Sequence, residues 1–237
     1  MRKLLTGMAI LSTLLVSGVS RAATGIVDMT WDGCTGPVDK TTTAPGFYAI
    51  FITVAGADQA QKGYDVRVIY GNASQQVPDA WNFDVNGCQQ GAVTQDVTSK
   101  VCPAYSQGAA GALQVKKVIF SPATDPYATS LMQVLLANAY ADVPVVVPAT
   151  RYFLERINFD HSASVVGPTT PGVNCGGFEQ PMCFKLSYAT YLDLAGTEIP
   201  FGRSSAALSV SFNGPSACAS VPVQPKTWGS IKNQYRN

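Results

Sequence analysis

The chain has 237 residues, 16 basic and 15 acidic, and only 13% of them are charged. A balance this close to neutral sets up no field that would recruit nucleic acid or anionic lipid. Ser, Thr, Asn, Gln and Gly supply much of the polar surface instead, a composition that suits an extracellular β-protein.

The N-terminus reads as a secretory signal. Arg2 and Lys3 precede an apolar run from Leu4 to about Val19, and Ser20-Arg21-Ala22-Ala23 offers the small residues a signal peptidase needs. A retained membrane anchor is the rival reading, but the run is short and ends in a cleavage site, so we place the cut after Ala23. Residues 1–23 are thus a signal peptide, 24–220 a β-sandwich domain and 221–237 a basic aromatic tail. The mature 214 residues carry 13 basic and 15 acidic side chains, a net of −2. That length suffices for one large all-β core. No later segment approaches the roughly 18 consecutive apolar residues of a membrane helix, so no transmembrane span is expected in the mature chain. No linker and no internal repeat is evident.

Stretches of β-branched and aromatic residues then alternate with turn clusters. Residues Gly25–Trp31 place Ile26, Asp28 and Thr30 on one face and Val27, Met29 and Trp31 on the other, the period of a half-buried strand. Phe47–Val54 is almost wholly apolar and predicts a central strand. Tyr64–Tyr70 alternates Asp65 and Arg67 with Val66 and Val68, and Ala55–Gly63 before it is hairpin-sized with glycine close to both ends. Pro78–Phe83 reads as a turn into a short strand with Trp81 and Phe83 inward, and residues 86–111 as a long stapled loop with at most one irregular strand. Leu113–Phe120, Arg151–Phe159, Cys183–Leu192 and Ala207–Phe212 are further strands. Thr129–Tyr140 fits a helix capped by Ser130 or a buried strand; periodicity does not separate the two for a continuous apolar run, and its neighbours favour strand. Eight or nine strands without a long helix specify an all-β fold, an antiparallel β-sandwich of immunoglobulin-like or jelly-roll-like type. Its core should hold Trp31, Phe51, Trp81, Phe120, Phe153 and Phe184.

Six cysteines follow the signal: Cys34, Cys88, Cys102, Cys175, Cys183 and Cys218. An even number in an exported chain reads as disulfides, with 15 connectivities open. Spacing suggests the local pairs Cys88–Cys102 and Cys175–Cys183, which leaves Cys34–Cys218 by elimination.

Chemistry is sparse. His161 is the single histidine, in Asp160-His161-Ser162; neighbours on a strand face opposite ways, so this run is no triad, and no Gly-x-Ser-x-Gly elbow occurs in the mature chain. We read His161 as a structural or surface residue at a strand end. His161, Cys175 and Cys183 form a zinc-type donor set without a fourth ligand, and exported cysteines oxidise. Asp79 and Asp84 lack the pattern of a calcium loop. No metal, cofactor or catalytic residue is assigned. Scattered acids read as surface solvation rather than a glycosidase pair. Tyr105, Tyr127, Tyr188 and Tyr191 are candidates for a sugar platform, with core packing the stronger reading, and Asn72-Ala73-Ser74 is a glycosylation sequon.

The tail carries Lys226, Lys232 and Arg236 and no acid. A helix from about Thr227 would put Trp228, Ile231 and Tyr235 on one face, and it would be too short to stand without a surface to dock on. The tail VPVQPKTWGSIKNQYR, the segment INFDHSASVVG at 157–167 and the loop Cys175-Gly-Gly-Phe-Glu-Gln-Pro-Met-Cys183 together resemble a set of uncharacterised secreted bacterial proteins that share a terminal TWGxIKxxYR motif. The resemblance covers most of the mature chain, with the tail its most specific part. It implies no activity. The middle cysteine of the C-x-G-C-x-x-P-x-C loop in those proteins corresponds here to Phe178, which favours a plain Cys175–Cys183 bridge over a metal loop. A recurrent terminal motif implies sorting or attachment, led here by Trp228, Ile231, Lys232, Tyr235 and Arg236.

The reading is a secreted or cell-surface, non-enzymatic protein with a structural, adhesion or binding role. A surface or export-machinery partner is expected for the tail, and a protein or glycan ligand for the sandwich. A carbohydrate-binding module is the second hypothesis and a secreted hydrolase the third.

Overall fold

Residues 25–56, 61–72, 76–98, 102–104, 109–120, 129–140, 150–203, 208–214 and 218 are described by a computed structural model. Residues 1–23, read above as a signal, and the tail 221–237 with Trp228, Ile231, Lys232, Tyr235 and Arg236 lie outside the described residues. In chain order the strands are β1 (Ile26–Trp31), β2 (Asp39–Lys40), β3 (Phe47–Ala55), β4 (Gly63–Gly71), β5 (Val93–Asp96), β6 (Ala109–Phe120), β7 (Thr129–Tyr140), β8 (Arg151–Asp160), β9 (Met182–Leu192), β10 (Glu198–Pro200), β11 (Gly202–Arg203) and β12 (Ser209–Phe212). One sheet has the order β11-β1-β3-β8-β5; the other runs β2-β12-β9-β4-β7-β6, with β10 also beside β9. Pairing is antiparallel except for the two-residue contacts β1–β11 and β2–β12. The fold is the all-β, antiparallel sandwich that strand periodicity predicted. Among the described residues no helix is long and apolar enough to cross a membrane.

The core forms where the inward sets of the two sheets meet. Val27, Met29 and Trp31 of β1, Ile50, Ile52 and Val54 of β3 and Tyr152, Leu154, Ile157 and Phe159 of β8 face Tyr64, Val66, Val68 and Tyr70 of β4 and Phe184 and Leu186 of β9. Three polar contacts cross or brace this apolar layer. Trp31 Nε1 donates to the Ser211 carbonyl (2.8 Å), the Tyr64 hydroxyl to the Leu154 carbonyl (3.2 Å) and the Tyr70 hydroxyl to the Trp81 carbonyl (3.1 Å). These three donors are thereby satisfied, which saves the roughly 1–3 kcal/mol that an orphaned buried group costs.

Several local expectations change in three dimensions. The Ala55–Gly63 connection is no hairpin: β3 pairs with β1 and β8, and β4 pairs with β7 and β9, so the chain crosses between sheets there. Residues Thr129–Tyr140 are strand, paired along their full length with β6. Trp81 and Phe83 are buried as expected, but Trp81 closes a 3₁₀ turn (Asp79–Trp81) instead of leading into a strand. Residues 86–111 contain β5 and the start of β6. Trp31, Trp81 and Phe184 belong to the main core, whereas Phe51 and Phe153 are buried on the outer face of the first sheet, in a small cluster with Cys34 and Cys102. The Phe120 side chain lies outside what is described.

All six cysteines are bridged, but with none of the expected partners. The pairs are Cys34–Cys102, Cys88–Cys175 and Cys183–Cys218. Cys88 and Cys102 are parted by β5, which runs along β8. Cys175 and Cys183 are parted by Phe178, which drops into the core, so Cys183 lies in β9 while Cys175 stays in the loop. Met182 and Phe184 point inward, so by strand alternation Cys183 points outward, where Cys218 meets it.

Candidate functional site

The strands end at two poles. At one of them the turn before β3, the segment 72–92 and the segment 161–181 come together. The chain reaches this pole because β3 begins where β8 ends, with Phe47 paired to Asp160, and because β4 ends where β9 begins, with Gly71 paired to Cys183. The Cys88–Cys175 bridge joins the two long segments covalently, and Ala80 N donates to the Gly176 carbonyl (2.9 Å). Close packing fixes this junction. A Cβ on Gly176 would lie 2.3 Å from backbone atoms of Gly167, Pro168 and Thr169.

His161 sits beneath this layer and is fully buried. Its ring is wedged among Trp81 (centroids 4.2 Å apart), Phe83, Phe178 and Tyr48. Nδ1 lies 3.0 Å from Ser164 Oγ, and Gln89 Nε2 donates to that same oxygen (2.5 Å). Because the amide nitrogen only donates, the serine hydrogen is free to go to Nδ1, which places the imidazole proton on Nε2. Burial pulls the His161 pKa down to about 4, against the opposing pull of the Asp160 carboxylate and the Ala80 carbonyl. That carbonyl favours a charged ring but does not meet Nε2 in hydrogen-bond geometry. The serine partner is therefore Ser164 at i+3, not the adjacent Ser162, which is exposed. The arrangement is a closed polar link inside an aromatic core. A nucleophile must be reachable by substrate, and Ser164 is 4% exposed.

The remaining sequence candidates are distributed as follows. Cys175 and Cys183 are each oxidised with a distant partner, so the zinc-type set does not assemble. Among the described residues no group of three or more His, Cys, Asp or Glu side chains is placed to hold a metal ion. Asp79 accepts a hydrogen bond from Thr169 Oγ1 (2.6 Å). Tyr191 is core; Tyr188 is half-buried on the outer face of the second sheet, with the Arg67 guanidinium over its ring (4.4 Å) and its hydroxyl bonded to Glu198. A ring face covered in this way is not an open sugar platform. Tyr105 and Tyr127 lie outside the described residues. Asn72 is engaged at both ends of its amide, with Gln76 N and Gln180 Oε1.

A shallow depression of about 340 Å³ opens on the outer face of the first sheet, between Asp32–Gly36, Cys102 and Arg151. The guanidinium at its base is occupied: Arg151 Nη1 donates to Asp28 Oδ2 (2.7 Å) and Thr53 Oγ1 (2.8 Å).

What the pole does present is apolar surface. Phe47 is 76% exposed, Val173 75%, Val85 63% and Val166 55%. No sequence signal singles these out, because one apolar residue in a loop has no period. Only the topology brings them to one end.

No protein-family model and no curated protein matches the chain. Among solved structures it is similar to a cohesin module from a Clostridium perfringens family 33 glycoside hydrolase (10% identity, 81% of this chain and 98% of that one, TM-score 0.39). It is also similar to the second type II cohesin module of a cellulosomal adaptor scaffoldin from Acetivibrio cellulolyticus (9% identity, 76% and 91%, TM-score 0.40). A third is a non-cellulosomal cohesin from the hyperthermophilic archaeon Archaeoglobus fulgidus (8% identity, 79% and 89%, TM-score 0.38). At these TM-scores the likeness carries no argument about function, and the sandwich assignment stands on the strand pairing of the chain itself.

Proposed function

We propose that the chain is an exported, disulfide-stapled protein with a non-enzymatic binding or adhesion role, its loop pole being the ligand surface and its tail a docking or sorting element. The observation that carries this is the set of exposed Phe47, Val85, Val166 and Val173 at one pole, the three valines on segments joined by Cys88–Cys175 and Phe47 on β3 where it pairs with Asp160. Exposed apolar side chains gathered on a rigid support mark interaction sites. The three bridges support export, since such bonds persist in oxidising compartments. The one buried histidine–serine pair is inaccessible, which supports binding over hydrolysis.

The test compares wild-type protein with a Phe47→Asp/Val173→Asp variant, following how each divides between the cell surface and the medium. Selective loss of the variant from the surface fraction, with unchanged thermal unfolding, supports the reading; equal partition of the two refutes it. The intact mass of both fractions reads the tail. Cleavage or covalent modification after about Val221 supports sorting. A glycan array gives the carbohydrate hypothesis its own outcome: absence of binding at high protein concentration removes it.

A further inference from the structure

The loop segments of the pole carry charge of one sign. From Val68 to Gln95 and from Ile157 to Phe184 there is no lysine or arginine, while Asp79, Asp84, Asp160 and Glu179 fall inside these stretches. Asp79 and Glu179 are exposed, Asp84 and Asp160 half-buried, and among the described residues none of the four forms an ion pair. The β2 cation at this end, Lys40, is already paired with Asp32. Apolar Phe47, Val85, Val166 and Val173 therefore share their pole with uncompensated carboxylates.

The tail has the opposite character, with Lys226, Lys232 and Arg236, no acid, and the apolar set Trp228, Ile231 and Tyr235. It also starts at the right place. Cys218 is bridged to Cys183, which is paired with Gly71 at the pole end of the second sheet and lies four residues after Glu179. Trp228 is ten residues beyond Cys218. An extended chain covers about 33 Å in ten residues, enough to cross a domain of this size. A short amphipathic segment gains stability from a surface that takes its apolar face.

We infer that residues 221–237 dock on the loop pole of their own chain, with Trp228, Ile231 and Tyr235 against the Phe47–Val85–Val166–Val173 surface and the tail cations facing Asp79, Asp84, Asp160 and Glu179. The inference rests on the reading of the pole as a binding surface and names the segment of this chain that occupies it.

The experiment is zero-length carbodiimide cross-linking of the full mature chain, with peptide mapping of the monomer and dimer bands. Bonds from Lys226 or Lys232 to the four pole carboxylates, within the monomer, are expected. Their yield should fall about threefold or more in roughly 0.5 M salt, where exposed charges are screened. It should also fall in Val173→Lys, a substitution that leaves every carboxylate in place. Two outcomes overturn the inference. Bonds found only in covalent dimers would put the tail on a second copy. Tail bonds spread evenly over exposed carboxylates and indifferent to Val173→Lys would put it nowhere in particular. Neither outcome touches the pole as a ligand surface, which fails separately if Phe47→Asp/Val173→Asp partitions like wild type.

Discussion

His161 Nδ1 lies 3.0 Å from Ser164 Oγ, and both residues are buried. The ring is therefore held neutral, with a folded-state pKa of about 4 against an ordinary value of 6.5. The unfolded chain binds the proton first, so this group leaves stability untouched above pH 6.5 and removes it as pH falls from 6.5 towards 4. The loss should reach about 2 kcal/mol by pH 5. Urea midpoints at pH 7 and pH 5 measure it. His161→Phe should shrink that difference, and an unchanged difference would assign the acid sensitivity to other groups.

Arg151 and Asp28 form the partly buried ion pair at the base of the outer depression. Removing only the cation leaves a carboxylate with little water to turn to. Because Arg151 is a third exposed, the cost of Arg151→Met should be about 2 kcal/mol, below the range for fully buried pairs. Asp28→Asn in the same chain should recover part of it. A double-mutant cycle showing no coupling would contradict the pairing.

Gly172 and Gly176 separate two reasons for glycine in one loop. Gly172 has φ +73° and open space around its Cα, so Gly172→Ala should cost only the strain of a left-handed residue, about 1–2 kcal/mol. Gly176→Ala would drive its methyl into three backbone atoms at 2.3 Å, and should cost more, about 3 kcal/mol or above, with faster proteolysis of 161–181. Equal effects would mean that the junction is loose.

The disulfides predict a peptide map. Digestion without reductant should yield Cys34–Cys102, Cys88–Cys175 and Cys183–Cys218. Recovery of Cys88–Cys102 or Cys175–Cys183 would contradict the fold. The bridges span 68, 87 and 35 residues, so the chain-entropy model assigns each about 4 kcal/mol or slightly more, Cys88–Cys175 the most. Replacing that pair by alanines should release the pole loops first.

Much of the framework was legible in the residues alone. Alternation in β1 and β4 marked the sets that face the core, since a pleated strand puts every second side chain on the same side, but β1 is not half-buried as its pattern predicted: Asp28 and Thr30 on its other face are buried as well. Even the ambiguous Thr129–Tyr140 resolved to the strand its neighbours favoured. The tail cations and the even cysteine number were likewise plain in the one-dimensional chain. Partnership was not. Whether Ala55–Gly63 turns a hairpin or crosses to the opposite sheet depends on which distant strands compete for β3 and β4. The cysteine pairs depend on which face of a strand each thiol leaves, and local spacing misled because β5 and Phe178 intervene. Ser164 rather than Ser162 meets His161 because the chain turns after β8. The pole, which brings Phe47 to the same end as segments 72–92 and 161–181, exists only because the sheets end together. Periodicity is a property of one segment and can be read from it; pairing is a choice among segments, and only the packed sandwich makes it.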